Sequence, residues 1–276
     1  MRLRKMYWKL SRWLKRKHRV RRHPTVWEKP IPGSDLRAIR ITPTVDEPVM
    51  DKNGGYHWYG NDWWTNLRCP HAFQYLSLDS LYPAGYYVSK TEGGAHPARA
   101  MAADLYEYMQ SVYSAVFGRA FGSILELGTG AGEITSQFRD HGHDYCAVEG
   151  SPEGVVKLRQ MGVPEDRLVF SDLKFLRPLG RKWDLVMCTE VAEHVEPWFA
   201  SKVVEICVSH ADVVWFSAAE RRIRPHYHHM NEICIEAWDN IFATMGFPAF
   251  VELDKRHDRA DRLYLSADLA RRIAGE

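Results

Sequence analysis

Residues 123–133, SILELGTGAGE, decide the fold of this chain. An apolar run that contains one acid, Glu126, leads into three glycines at alternate positions: Gly128, Gly130 and Gly132. This pattern predicts a buried strand, a tight turn and a helix that begins near Ala131. Glycine has no Cβ atom, so such a turn lets a ligand approach the backbone closely. We therefore expect a ligand site at this turn.

A second acid follows at the distance expected for nucleoside recognition. The run Tyr-Cys-Ala-Val at 145–148 ends in Glu149, about twenty residues beyond the turn. A carboxylate at the end of a second strand can accept hydrogen bonds from both hydroxyls of a ribose. A glycine turn alone is a weak signal, but together with Glu149 it indicates a cofactor that contains a nucleoside.

The turn resembles the first motif of the class I S-adenosylmethionine (SAM)-dependent methyltransferases, an acid followed by G-x-G-x-G. The residues that carry the resemblance are Glu126, Gly128, Gly130 and Gly132. Dinucleotide-binding proteins use G-x-G-x-x-G, and Glu133 stands here in place of their third glycine. A carboxylate at a helix N-terminus disfavours a pyrophosphate but tolerates a zwitterionic methionine. A structural glycine turn and an NAD site are the alternatives.

The resemblance implies a cofactor site in three parts. The glycine turn faces the methionine, Glu149 binds the ribose, and Asp172 with Leu173 meets the adenine. The alternative role of Asp172 is an ordinary helix cap. The cofactor-binding residues that we expect are Glu126, Gly128, Thr129, Gly130, Gly132, Glu149, Gly150, Asp172, Leu173 and Thr189.

Strands and helices alternate from residue 123 onward, which predicts a parallel sheet covered by helices on both faces. The predicted strands are 123–127, 144–148, 167–170, 184–188 and 212–217, and the predicted helices are 131–140, 152–161, 197–209 and 232–245. Two further strands, 249–253 and 262–266, would close the sheet as an antiparallel hairpin, as in the methyltransferase family. The predicted fold class is α/β, with a doubly wound, mostly parallel, seven-stranded Rossmann-like sheet.

We expect three segments along the chain. Residues 98–276 form the SAM-binding methyltransferase domain, which a helix at 98–117 introduces. Residues 24–97 form an aromatic-rich extension, with ten aromatic residues between positions 56 and 87. These aromatic side chains either cover the substrate as a cap or anchor a loop-rich extension on the core. Residues 1–23 form a separate basic tail.

The tail accounts for the net positive charge of the chain. Residues 1–22 contain eleven of the 37 Lys and Arg residues and no acid. The rest of the chain therefore has 26 basic and 35 acidic residues. Apolar residues recur in the tail at helical spacing, which predicts a basic amphipathic helix on an anionic membrane surface. A mitochondrial presequence, a protein or nucleic-acid partner and a solvated tail are alternatives. The prolines at 24, 30 and 32 predict a linker after it.

Composition indicates the cellular compartment in which we expect the protein. The five cysteines are scattered and never occur as C-x-x-C, so neither a disulfide framework nor a zinc site is indicated. We expect a reducing compartment, and no apolar run reaches the eighteen or so residues of a membrane span. The expected location is the cytoplasm, with peripheral contact at the inner membrane face through the tail. Nucleic acid is not the expected partner.

An E-x-x-E-H sequence follows the fourth predicted strand and supplies candidate catalytic groups. We expect Glu190, Glu193 and His194 on one side of a helical turn at the mouth of the cofactor pocket. His229 would join them, and the histidines at 226 and 228 are the alternatives to it. Two carboxylates and two imidazoles could hold a divalent ion, Mg²⁺ or, with better fit, Mn²⁺. Such an ion would lower the pKa of an acceptor hydroxyl. Metal-free general-base catalysis and simple helix packing are the alternatives.

The E-x-x-E-H sequence resembles two methyltransferase groups. These are the ubiquinone-pathway O-methyltransferases and the small-RNA 3′-end 2′-O-methyltransferases, in which such residues hold a metal over ribose hydroxyls. We expect SAM-dependent O-methylation of a small molecule or glycan intermediate, with Glu193 and His194 as catalytic residues. A small-RNA ribose 2′-O-methyltransferase is the enzymatic alternative. A SAM-binding scaffold protein is the alternative without catalysis.

Overall fold

The computed structural model describes residues 25–42, 49–50, 56–57, 78–88, 92, 97–219, 228–253 and 259–276. The tail predicted for residues 1–22, most of the aromatic segment and the histidine at 226 lie outside these ranges. The predictions for them therefore stay predictions.

Eleven strands and seven α-helices make up the described part of the chain. The strands are β1 (Thr25–Pro30), β2 (Arg37–Ile41), β3 (Val49–Met50), β4 (Tyr56–His57), β5 (Ser123–Leu127), β6 (Asp144–Glu149), β7 (Leu168–Phe170), β8 (Leu185–Thr189), β9 (Val213–Ala219), β10 (Ala249–Glu252) and β11 (Arg259–Leu265). The α-helices are α1 (Leu78–Leu81), α2 (Arg99–Phe117), α3 (Glu133–Asp140), α4 (Pro152–Gln160), α5 (Ala200–His210), α6 (Ile235–Thr244) and α7 (Ala267–Ala274). Short 3-10 turns cover Ala84–Tyr87, Glu165–Arg167, Leu173–Phe175, Ala192–His194 and Pro197–Phe199.

The main sheet has nine strands in the order β1-β2-β10-β11-β9-β8-β5-β6-β7. The five strands β5 to β9 run parallel, and β10 and β11 form the antiparallel hairpin expected from the sequence. Strand order reverses at β5, because the chain passes from β5 outward to β6 and β7 and then returns to β8 on its other side. The α/β, Rossmann-like fold class is confirmed.

The predicted number of seven strands was wrong, and so was the linker predicted at the prolines. Strand β2 pairs antiparallel with β10, and β1 pairs with β2, which adds two strands at one edge. Pro30 ends β1, where a missing backbone N–H costs little because β1 is the edge strand. Part of the predicted extension 24–97 thus belongs to the sheet. The boundaries at 23 and 97 stay predictions.

The hydrophobic core lies on both faces of the sheet. Along β5, Ile124 packs into one buried cluster, whereas Leu125 and Leu127 pack into the other. Successive side chains of a strand point to opposite faces, so a strand covered on both sides is apolar at most of its positions. Burial of each such side chain is worth about 1.5–3 kcal/mol. This core fixes the end of β5, and with it the glycine turn.

Among the residues that the structure describes, no helix combines the length and apolar character required to cross a membrane.

Candidate active site

A cavity of about 490 Å³ opens at the carboxyl ends of the parallel strands, where strand order reverses. In open α/β sheets ligands bind at this position. Nine of the ten cofactor residues expected from the sequence line the cavity: Glu126, Gly128, Thr129, Gly130, Glu149, Gly150, Asp172, Leu173 and Thr189. Gly132 is not among the lining residues. All four candidate metal ligands also line it: Glu190, Glu193, His194 and His229.

Two glycines of the turn are required by the protein's own packing. Gly128 has φ +72°, and a Cβ atom there would lie 2.5 Å from Val191 Cγ2. Gly132 has φ +80°, and its Cβ would lie 2.6 Å from Leu158 Cδ2. Gly132 is also the N-cap of α3, so the helix begins at Glu133, two residues later than predicted. Close approach of a cofactor is therefore an incomplete explanation of this glycine pattern.

Glu149 ties the glycine turn to the next loop. Its Oε2 accepts hydrogen bonds from the Gly130 N–H at 2.9 Å and from Thr129 Oγ1 at 3.2 Å. Its Oε1 accepts one from the Ser151 N–H at 2.8 Å. Burial raises the pKa of Glu149, and these hydrogen bonds oppose that effect. The carboxylate is held rigidly at the place where the sequence predicts a ribose contact.

Glu126 is a second buried acid at the end of β5. Thr135 Oγ1 donates a hydrogen bond of 2.6 Å to its Oε2. Loss of solvation raises the pKa of Glu126 to about 8, the Thr135 hydrogen bond opposes this, and the negative charge of Glu149 adds to it. The carboxyl group is therefore largely protonated at neutral pH in the absence of a cationic ligand.

Asp172 performs the capping role that was the alternative for it. Its Oδ1 accepts a hydrogen bond from the Lys174 backbone N–H at 2.9 Å, at the start of a 3-10 turn. Its Oδ2 lies 3.4 Å from Lys174 Nζ, which also binds Glu196 Oε1 at 3.1 Å. Leu173 beside it is buried and lines the cavity. The cap and the adenine contact are compatible, and the latter stays a prediction.

Three of the four predicted metal ligands form a cluster. One candidate ligand atom from each of Glu193, His194 and His229 lies within 4.8 Å of the other two. The two imidazole rings are perpendicular, with their centroids 4.9 Å apart. The ring of His228 contacts Tyr82 and Tyr86 instead, so His229 is the late histidine that joins the cluster.

Glu190 does not join this cluster. Its backbone has φ +56°, the only positive φ of a non-glycine residue in the described chain, and it precedes the short turn Ala192–His194. Ser217 Oγ donates a hydrogen bond of 3.1 Å to Glu190 Oε1, and the Glu190 N–H donates to the Ser217 carbonyl. The expected helical turn with all three residues on one side is thus replaced by a bend between β8 and that turn. Such strained backbone is typical of functional sites.

Glu193 is fully buried, and neither carboxylate oxygen has a hydrogen-bond partner. The backbone N–H groups of Glu193 and Ala219 act to lower its pKa, but neither reaches hydrogen-bond geometry. Burial and the nearby Glu190 raise the pKa of Glu193 well above its ordinary value. An unpartnered buried carboxyl group is costly, so a cation is the natural missing partner.

A short segment around α1 covers the cavity. A Cβ atom on Gly150 would lie 2.6 Å from Leu78 Cδ1, so Leu78 packs directly on the loop after β6. Tyr82 stacks on His228, with ring centroids 5.5 Å apart, and meets His194 edge-on at 5.9 Å. Burial raises the pKa of Tyr86 to about 12, so its hydroxyl stays protonated. Leu78, Tyr82 and Tyr86 all line the cavity, so this segment forms part of its wall.

Several residues that line the cavity were not predicted from the sequence. Trp215 and Ser217 lie on β9, and Asp261 lies on β11 opposite Ser217. The position of Ser217 near the end of a parallel strand could have singled it out. Asp104 on α2 and Asp261 had no such signal, because a helix and an antiparallel strand place them there through packing alone.

Fold and cavity together define a doubly wound α/β protein with a cavity at the point where its strand order reverses. Residues 101–201 match the model of a family described as a methyltransferase domain. The matched stretch contains the glycine turn, Glu149 and the Glu193–His194 pair. The matched residues are therefore similar to a methyltransferase domain, as the glycine turn predicted.

Solved structures of similar shape are distant in sequence. DesVI of Streptomyces venezuelae is 16% identical, with a TM-score of 0.49, over 61% of this chain and 92% of its own. The methyltransferase domain of bacterial CtHen1-C is 15% identical, with a TM-score of 0.47, over 61% and 97%. The 1,6-didemethyltoxoflavin-N1-methyltransferase of Burkholderia thailandensis is 14% identical, with a TM-score of 0.47, over 89% and 100%. Likeness at this level carries no information on the acceptor. No curated protein matches the sequence significantly.

Proposed function

We propose that this protein transfers a methyl group from SAM to a hydroxyl oxygen of a small molecule or glycan intermediate. One observation carries the proposal. A single cavity joins the glycine turn and Glu149 to the cluster of Glu193, His194 and His229. A methyl donor held at the first group would therefore lie beside an acceptor held at the second.

The lining residues fit SAM. Three carboxyl groups, those of Glu126, Glu149 and Asp172, line the cavity at the ends of β5, β6 and β7. They complement an ammonium group, a pair of ribose hydroxyls and an exocyclic amine, in the order in which the family places these parts. SAM supplies an activated methyl group on a sulfonium. The chain itself has to align the acceptor, exclude water and accept the acceptor proton.

The Glu193–His194–His229 cluster fits one divalent ion. The unpartnered carboxylate of Glu193 provides a negative ligand. The His194 Nδ1–H donates to the His228 carbonyl oxygen at 3.2 Å, which leaves the lone pair of that ring on Nε2. One carboxylate and two imidazoles suit Mn²⁺ better than Mg²⁺. A bound ion would lower the pKa of the acceptor hydroxyl. In the alternative without metal, His194 accepts the proton directly.

The cavity favours an acceptor without negative charge. Eight carboxyl side chains line it, and no Lys or Arg does so among the residues that the structure describes: Asp104, Glu126, Glu133, Glu149, Asp172, Glu190, Glu193 and Asp261. Phosphate groups of RNA would be repelled by the ionised members of this lining. The resemblance of the metal cluster to the small-RNA enzymes keeps ribose 2′-O-methylation as the second candidate. Steep salt dependence of RNA binding would favour it.

Calorimetric titration with S-adenosylhomocysteine, with and without MnCl₂ or MgCl₂, tests the proposal on the wild type and on Glu193→Ala. We expect cofactor-product binding in both proteins and a metal signal only in the wild type. Methyl transfer would then be assayed with catechols and vicinal diols. Absence of S-adenosylhomocysteine binding would refute the methyltransferase proposal. Binding without turnover of any acceptor, together with tolerance of changes at Glu193 and His194, would support a scaffold instead.

A further inference from the structure

Glu232 is buried beside the metal cluster and has no role in the function proposed so far. Its Oε1 lies 2.7 Å from His229 Nδ1, and the two side chains are 5% and 8% exposed. We infer that Glu232 is the positioning residue of His229, which it holds in a single tautomer with the Nε2 lone pair available to the site. This inference rests on the proposed function in that His229 acts at the same cluster.

The donor and acceptor assignment follows from simple chemistry. An ionised carboxylate can only accept hydrogen bonds, so an ionised Glu232 leaves the proton between the two groups on His229 Nδ1. A neutral imidazole carries one N–H and one lone pair, which then lies on Nε2. In a buried site a hydrogen bond to a charged acceptor is shorter and stronger than a neutral one. The 2.7 Å separation agrees with this expectation.

The backbone next to Glu232 is hydrogen-bonded to the short turn Ala192–His194. The N–H groups of Met230 and Asn231 both donate to the carbonyl oxygen of Glu193, at 2.7 and 2.9 Å. His229 and Glu232 therefore flank two residues that are anchored to Glu193 itself. Glu232 follows His229 by three residues. The same short loop therefore places both side chains at the cluster.

The two histidines of the cluster are oriented by equivalent contacts of different strength. His194 Nδ1 meets a neutral backbone carbonyl at 3.2 Å, whereas His229 Nδ1 meets a carboxylate at 2.7 Å. A carboxylate partner raises the basicity of the opposite ring nitrogen and fixes the ring plane. Both effects assist metal binding, and both assist proton acceptance in the absence of metal. The positioning role is thus the same in either branch of the proposed mechanism.

The test compares wild type with Glu232→Ala, Glu232→Gln and the control Glu205→Ala, an exposed acid on α5. Long-range ¹H–¹⁵N correlation spectra of the imidazole rings, recorded without metal, report the tautomer of His229. MnCl₂ titration in the presence of S-adenosylhomocysteine reports metal affinity. Thermal unfolding confirms that each variant is folded.

We expect the Nδ1–H tautomer in the wild type and in the control, and a mixture of tautomers in Glu232→Ala. We expect Mn²⁺ affinity to fall about 10- to 100-fold in Glu232→Ala. Glu232→Gln should be intermediate, because its amide oxygen still accepts the Nδ1–H without a charge. S-adenosylhomocysteine affinity should be the same in all four proteins, which a general loss of structure would not allow.

Two results would overturn the inference. One is an Nε2–H tautomer of His229 in the wild type. The other is a folded Glu232→Ala protein with the wild-type tautomer and metal affinity. If Glu232→Ala does not fold, a Glu232→Gln protein that equals the wild type in both readouts refutes the role of the charge. Failure of the wild type to bind S-adenosylhomocysteine would instead refute the proposed function, and the metal-free ring spectra would still decide the role of Glu232.

Discussion

Replacement of Glu126 by Gln should make the cofactor-free protein more stable at pH 8 and change its stability little near pH 4.5. The change removes a carboxyl group whose pKa burial raises to about 8, and it keeps the side-chain size. The amide oxygen can still accept the hydrogen bond from Thr135 Oγ1, which is 2.6 Å in the wild type. The variant therefore isolates the cost of ionising one buried acid.

The sign and the size of this difference in the free energy of unfolding follow from proton linkage. An acid with a raised folded-state pKa contributes stability that is fully present below its unfolded pKa and is lost as pH rises through the folded pKa. Each pH unit in that interval costs about 1.4 kcal/mol. Between the ordinary value of 4.5 and about 8 the wild type should lose on the order of 3–5 kcal/mol that the variant keeps. At roughly 2 °C per kcal/mol, the melting temperatures should differ by about 6–10 °C at pH 8.

Thermal unfolding from pH 4.5 to 8.5, without cofactor, measures this difference. Glu205→Gln is the control, because it removes an exposed acid of the same type. Parallel pH profiles of the wild type and Glu126→Gln would refute the reasoning. So would a variant that is less stable than the wild type at pH 8. The variant should also bind SAM more weakly, since it loses the charge expected to meet the methionine ammonium.

Three further outcomes are expected. Gly132→Ala should lower the free energy of unfolding in urea by about 2–4 kcal/mol, because the added Cβ meets Leu158 and φ is +80°. Gly142→Ala, with φ +73° and open space around it, should cost only about 1 kcal/mol, and equal losses would refute the packing argument. Glu193→Gln should abolish the Mn²⁺ heat without lowering the melting temperature of the metal-free protein, since the carboxylate has no partner to lose. Gln at the eleven basic positions of residues 1–22 should abolish sedimentation with phosphatidylserine vesicles and keep S-adenosylhomocysteine affinity; unchanged sedimentation would refute the membrane proposal.

Local pattern alone predicted the parallel part of the sheet. The apolar run at β5, its glycine turn and the alternation of strands and helices are features of neighbouring residues, so their spacing in the sequence is enough to predict them. The same holds for Glu149 and Asp172, because the carboxyl ends of parallel strands meet at one edge of the sheet. Each of these residues lies where the strand order predicts it.

Only the tertiary structure decided the contacts between distant segments. Strand β2 joins the sheet because its backbone pairs with β10, more than two hundred residues later, and no local pattern encodes such a register. Glu190 is not part of the cluster of Glu193, His194 and His229, and Ser217 of β9 hydrogen-bonds to both its backbone and its side chain. The sequence offered three late histidines within four positions, and the packing of one loop against Glu193 brought His229 into the cluster with Glu232 behind it. Which side chain reaches a site depends on how the backbone of its loop is fixed, and that is set by the folded chain as a whole.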